Sequence, residues 1–196
     1  MKSIVLASGN KGKKKEIEEL LEPFGTRVVT QSELGITEVE EPYDTFFENA
    51  LAKARHAAFA TRLPALADDS GICVDALGGA PGVHSARYAG EPRSDARNNE
   101  KLLLELKDKN NRAAHYVCVL VLVRGPGDTE PLVAQAEWHG EIAHAPRGAN
   151  GFGYDPYFLV PGLGKTAAEL APEVKNRLSH RGQALAKLLE LLRREP

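Results

Sequence analysis

Two acidic pairs and two lysines are the residues of this chain best suited to chemistry: Asp68-Asp69, Glu40-Glu41, Lys13 and Lys53. A carboxylate can take a proton from water or act as a hard oxygen ligand. Mg²⁺ typically takes one or two carboxylates and keeps several waters. Ammonium groups offset the charge of a phosphate chain. Asp68 and Asp69 follow the apolar run Ala65 to Ala67 and precede Ser70-Gly71, after which Ile72 to Val74 either continue the strand or pair as one. Adjacent residues at a strand end point to opposite sides, so one carboxylate can face a ligand while the other anchors the turn. Plain alternatives stand beside each reading: a polar turn for Asp-Asp-Ser-Gly, a solvated loop for Glu40-Glu41 and a surface position for Lys53.

Lys13 is the less ordinary lysine. It ends the stretch Ser8-Gly9-Asn10-Lys11-Gly12-Lys13, which follows a β-branched run and opens an amphipathic helix. Backbone N–H groups in a small-residue turn point outward together, and the helix dipole adds positive potential where a phosphate would sit. A cation at that end is repelled by the dipole unless an anion is present. The stretch is not a Walker A loop, which would need Gly at position 7 and Ser or Thr at position 14, where this chain has Ala7 and Lys14.

Two further clusters suit a base rather than a phosphate. Gly151-Phe152-Gly153-Tyr154-Asp155-Pro156 sets an aromatic between two glycines, where a planar ligand can approach the ring, with a carboxylate three residues on. The plain alternative is a shaped loop with Phe152 as a buried plug. Ser179-His180-Arg181-Gly182 opens the last helix behind Lys175. A serine N-cap explains Ser179, while His180 and Arg181 add donors suited to carbonyl or phosphate oxygens. The small-residue loop from Gly78 to Tyr88 suits a lid or wall.

The elements that must position these groups alternate between strand and helix. Ser3 to Ala7 reads as a strand, and Ile17, Leu20, Leu21 and Phe24 as a helix face that Pro23 and Gly25 stop. Arg27 to Thr30 is a second short strand. Thr45 with Glu48 forms a capping box in front of Phe46, Phe47, Ala50, Leu51 and Ala54, in a helix to about Thr61, with Glu48, Asn49, Lys53 and His56 on the side away from the Phe46, Leu51 and Ala54 stripe. Ser94 and Asp95 open a helix carrying Leu102, Leu103 and Leu106. Tyr116 to Val123 is apolar without alternation, the pattern of a strand covered on both faces. Leu132 to Trp138 alternates, the pattern of a strand with one wet face. A Thr166–Glu169 capping box and a helix with Leu185, Leu188, Leu189 and Leu192 close the chain.

Composition sets the outer limits. At 196 residues with 42% hydrophobic residues, the chain suits one α/β domain with an ample core, with room for two lobes around a cleft. A net charge of −2 argues against nucleic acid or an anionic membrane as partner. The N-terminal apolar run is broken by Gly9 and Asn10, so it reads as neither signal peptide nor spanning segment, and cytoplasm is the expected location. Cys73 and Cys118 lack CxxC spacing and read as reduced core cysteines.

SGNKGK, TFFENALAKA, ADDSG followed by LGGAPGVHSARY, GFGYDP and KNRLSHR, in this order over essentially the whole chain, resemble the inosine triphosphate pyrophosphatase family, the bacterial dITP/XTP diphosphatases. The resemblance implies a two-lobed α/β fold with a long mixed sheet, flanking helices and a central active-site cleft. It also implies a homodimer and Mg²⁺-dependent hydrolysis of ITP, dITP and XTP to the monophosphate and pyrophosphate, which would keep deaminated purines out of DNA and RNA. Carried over residue by residue, Ser8, Gly9, Asn10, Lys11, Gly12 and Lys13 would hold the triphosphate, assisted by Lys53. Asp69 would be general base and metal ligand, with Glu40 the second acidic group and Glu41 its alternative. Ser70, Phe152, Gly153, Tyr154, Asp155, Lys175, His180 and Arg181 would line the nucleoside pocket, where His180 and Arg181 would read a 6-oxo group. Ser8 stands where the family often has threonine, and both supply a hydroxyl. Two other classes of function stand against this reading: a regulator that senses a triphosphate without turning it over, which both acidic pairs oppose, and an enzyme acting on unusual bases within nucleic acid, which the charge balance opposes.

Overall fold

The computed structural model describes residues 3–194. Seven strands form one mixed sheet in the order β2-β1-β3-β4-β5-β6-β7. The β-branched run Ser3–Leu6 is β1, which pairs in parallel with β2, Arg27–Thr30, and with β3, Ala65–Val74. Helix α1, Lys11–Leu21, links β1 to β2, and its Ile17 and Leu21 are buried. A parallel pair needs such a crossover, because no tight turn can return the chain to the same end of the sheet.

Strand β3 departs from the turn reading and follows the alternative in which Ile72 to Val74 continue it. The chain does not leave the sheet at Ser70-Gly71; Asp68, Asp69 and Ser70 lie inside a ten-residue strand. The turn reading fails because the backbone here pairs within the sheet, and the carboxylates meet their partners through side chains instead. Strand β4, Ala113–Val123, is buried almost throughout, as its unbroken apolar run requires. Strand β5, Leu132–Ile142, alternates buried and exposed residues over most of its length. The short strands β6, Phe158–Val160, and β7, Lys165–Thr166, extend the sheet antiparallel. Neither has enough residues to leave a periodic signal in the sequence.

Helix α2, Phe46–Thr61, is capped by Thr45, whose Oγ1 accepts from the Glu48 N–H at 3.2 Å. Its buried face meets the expected apolar positions only at Ala50 and Ala54. Asn49, Ala50, Lys53, Ala54, Ala57 and Ala58 are buried, while Phe47 is exposed. Small residues let the helix lie close to its neighbours, which turns Asn49 and Lys53 inward. Helix α3, Asp95–Glu105, is capped by Ser94, and helix α4, Pro172–Leu178, starts on a proline suited to a first turn. Helix α5, His180–Arg194, carries the final leucines. No helix of the described residues is long and apolar enough to cross a membrane.

The chain divides into two compact units. The first takes its residues from Met1–Asp69, Cys118–Ala136 and Arg181–Pro196, the second from Ser70–Val117 and Glu137–His180. Each has its own core. Ile4, Leu6, Ile17, Leu66, Leu120 and Leu185 pack together in the first, and Ile72, Leu102, Tyr116, Trp138, Tyr154 and Phe158 in the second.

Candidate active site

In the first unit, the buried Lys53 and the half-buried Lys13 meet the Asp68-Asp69 pair. Helix α2 turns Lys53 inward, and its Nζ donates to Glu41 Oε1 at 2.7 Å, to the Asp68 carbonyl at 2.9 Å and to Asp69 Oδ1 at 2.7 Å. Three acceptors match the three protons of an ammonium. Burial pulls the Lys53 pKa down, but the Asp69 and Glu41 carboxylates outweigh it, so the net shift is upward and the group stays charged. Asp69 is raised above the ordinary carboxylate range, because its burial outweighs the attraction of Lys53 and Lys13. Its Oδ2 is buried and has no hydrogen-bond partner among the described residues.

Asp68 does different work on the other side of the strand. Fully buried, it pairs with Lys13 Nζ through Oδ1 at 2.6 Å and with Arg181 Nε through Oδ2 at 2.7 Å. Burial alone would raise its pKa, but Arg181 and Lys13 hold it well below the usual range. The Cys118 thiol also donates to Oδ2, at 3.3 Å, and burial drives that thiol well above its ordinary pKa. Both cysteines are free.

The same arrangement takes in Arg181. Its guanidinium is buried between Asp68 and Glu16, with Nη1 on Glu16. Two of its donor nitrogens are thus engaged by internal carboxylates, and the guanidinium neutralises Asp68. The Ser8–Lys13 stretch is likewise more self-contained than expected. Asn10 is the N-cap of α1, and its Oδ1 accepts from the N–H groups of Gly12 at 2.9 Å and Lys13 at 3.1 Å. Ser8 Oγ accepts from the Asn10 N–H at 3.2 Å. Gly9, Asn10 and Lys11 are exposed. The anion that Lys13 requires at a helix start is therefore supplied within the chain by Asp68. Of the acidic pair before α2, Glu41 shares Lys53 with Asp69, whereas Glu40 is exposed.

The second unit holds the other predicted group. Asp155 Oδ2 accepts from Lys175 Nζ at 2.7 Å and from the Phe152 N–H at 2.9 Å, and the lysine lies 5.1 Å above the Phe152 ring. Gly151 has φ +75, and a Cβ there would overlap Asp155 Oδ2, so glycine is required on both counts. His180 stacks on Tyr116, with ring centroids 4.6 Å apart and planes 6° from parallel. Tyr154 is buried and donates to the Ser85 carbonyl at 2.7 Å. Gly153 is held from α3: its N–H donates to Asp95 Oδ2 at 2.8 Å and its carbonyl accepts from Asn99 Nδ2 at 2.9 Å. Ser70 is half-buried in β3.

The model of the Ham1 family matches residues 4–191. This chain belongs to the Ham1 family. A Nitrosomonas europaea protein named dITP/XTP pyrophosphatase is 62% identical over 98% of this chain and 95% of its own length. One of the same name from Neisseria meningitidis serogroup A is 63% identical over 96% of each. The structure of a HAM1 protein from Coxiella burnetii matches with a TM-score of 0.91 and 49% identity over the whole of both chains. The Staphylococcus aureus Ham1 protein matches with 0.86 and 44% over 98% of each.

The donor set of this Ham1-family chain can be tested for a divalent cation. Among the described residues no group of three or more His, Cys, Asp or Glu side chains is arranged as a complete metal cage. Asp69 and Glu41 on one ammonium, with the orphaned Asp69 Oδ2, instead fit the sparser demand of Mg²⁺, which takes one or two carboxylates and completes its shell with water and substrate phosphates. Glu16, Asp95, Asn99 and Tyr116 escaped the sequence reading. A charged or polar residue at a buried helical position was the available signal for Glu16, but nothing local identifies its partner.

Proposed function

We propose that this chain hydrolyses non-canonical purine nucleoside triphosphates, ITP, dITP and XTP, to the monophosphate and pyrophosphate. The observation that carries the reading is the Lys53 ammonium shared by Asp69 and Glu41, with Asp69 Oδ2 left for an outside ligand. Relatives above 60% identity are named dITP/XTP pyrophosphatase, which supports this substrate class.

Asp69 accepts the proton of a water through Oδ2, and that water attacks the α-phosphorus so that pyrophosphate leaves. A carboxyl raised by burial is a better base than an ordinary one. Lys53 holds Asp69 Oδ1 and fixes the direction in which Oδ2 points, while Lys13 and Lys53 offset phosphate charge. Asp69 with Glu41, or Glu40 in its place, would hold Mg²⁺, which supplies charge neutralisation and orientation of the triphosphate. Phe152 offers a ring to the base, and Lys175 and His180 supply donors to a 6-oxo group. Facing the amino group of adenine, such donors lose their partner, which disfavours ATP. The proposal includes a homodimer and a cytoplasmic location, where the nucleotide pool is drawn on by polymerases.

Product analysis tests it. ITP should give IMP and pyrophosphate in equal amounts, and chelation of divalent cations should stop the reaction. Release of IDP and phosphate as first products would mean that the water attacks another phosphorus. Retained turnover after chelation would remove Mg²⁺ from the scheme.

A further inference from the structure

We infer that Tyr116 is a positioning residue for the nucleoside end of the substrate, an inference that rests on the proposed function above. Tyr116 lies on β4 with 7% of its surface exposed, wedged against Phe158 at 4.6 Å and Trp138 at 6.3 Å between ring centroids. Its two ends serve two separate groups. The ring face stacks on the His180 imidazole at 4.6 Å, and the hydroxyl donates to Asp155 Oδ1 at 3.2 Å. The other oxygen of that carboxylate holds both Lys175 Nζ and the Phe152 N–H.

His180 begins a helix and Phe152 and Asp155 lie in a glycine-rich loop, whereas Tyr116 lies inside an eleven-residue strand. Tyr116 is anchored at both levels, by the sheet through its backbone and by packed aromatics around its ring. An aromatic side chain has only two torsions to lock, and a group held by such a neighbour loses little freedom when a ligand arrives. Tyr116 thereby sets the plane of His180 and one lone-pair direction of Asp155, and through Asp155 the position of Lys175 above the Phe152 ring. It need not touch the substrate to do so.

Steady-state kinetics with ITP on the wild type, Tyr116→Phe and Tyr116→Leu, with thermal unfolding of each, test the inference. The Phe variant keeps the stack and loses the Asp155 bond. Its KM for ITP should rise about tenfold, the scale of one hydrogen bond to a charged group, with kcat within about twofold. Inhibition by inorganic tripolyphosphate, which carries no base, should keep its wild-type constant. The Leu variant loses both contacts and should show the larger rise in KM; should it fail to fold, the Phe variant still decides. An unchanged KM in the Phe variant, or weakened tripolyphosphate inhibition in parallel with KM, would overturn the positioning role. A wild type that makes no IMP and pyrophosphate from ITP would instead overturn the functional reading, and this inference with it.

Discussion

Asp68 and Asp69 are chemically identical neighbours with opposite environments. Strand geometry sends them to opposite faces of β3, so Asp68 meets two cations and Asp69 shares one with Glu41. Asp68 is therefore held ionised, while the more weakly compensated Asp69 is pushed up by burial. A carboxylate already satisfied by Lys13 and Arg181 is a poor base, and one with an orphaned oxygen is a suitable one. Asp69→Asn keeps the shape of the side chain and removes its basicity. We expect kcat to fall by on the order of a hundredfold or more with the thermal midpoint little changed. Near-normal turnover in the purified, Mg²⁺-replete variant would remove Asp69 from the mechanism.

At the scale of elements, the features that matter are where a strand continues and where a loop is forced. Strand β3 runs through Asp68-Asp69-Ser70, which places both carboxylates on the stiff backbone of a sheet. The loop 151–156 depends instead on Gly151, whose left-handed backbone leaves room for the Asp155 carboxylate to fold back onto the Phe152 N–H. Gly151→Ala meets both a disfavoured φ and the Asp155 oxygen. It should cost about 1–3 kcal/mol in denaturant unfolding and raise KM for ITP, because Lys175 loses its fixed partner. An unchanged KM would mean that the loop does not shape the nucleoside end.

Over the whole molecule, the two units each close a core from distant parts of the chain. In the first, the Lys13–Asp68–Arg181–Glu16 network ties α1, β3 and α5 together. Its contribution has a defined pH signature. Asp68 has a folded pKa depressed below its unfolded value, so the stability it contributes is present above the unfolded pKa, about 4, and is lost as pH falls through the folded pKa. Asp69, raised in the folded state, contributes with the opposite sign. Asp68→Asn leaves Lys13 and Arg181 without that counter-charge and should destabilise the protein by about 3–5 kcal/mol at neutral pH. The wild-type and variant curves should begin to converge as pH falls below about 4 and meet only below the depressed folded pKa, as the wild type loses what the variant already lacks. Urea unfolding across that range checks this, and parallel curves would deny Asp68 its role.

Features encoded in short stretches were legible in the sequence. The Thr45, Ser94 and Thr166 caps, the unbroken apolar run of β4 and the alternation of β5 are local signals, because a cap or a strand face is set by residues a few positions apart. The order and spacing of the motifs likewise pointed to the family that the comparisons show. The interior face of α2 was legible only in part: Ala50 and Ala54 stood out as apolar positions, whereas Asn49 and Lys53 were set on the far side because a polar residue carries no hydrophobic signal of its burial. The charge network was invisible for another reason. Lys53 meets Asp69 across 16 positions, Tyr116 meets Asp155 across 39, Arg181 meets Asp68 across 113 and Glu16 across 165. The sequence alone determined which residue types were available for phosphate, metal and base. Only the tertiary structure decided which charges neutralise one another inside the protein and which oxygen remains for a ligand, because Coulomb and hydrogen-bond energies depend on distances in space that chain separation does not encode.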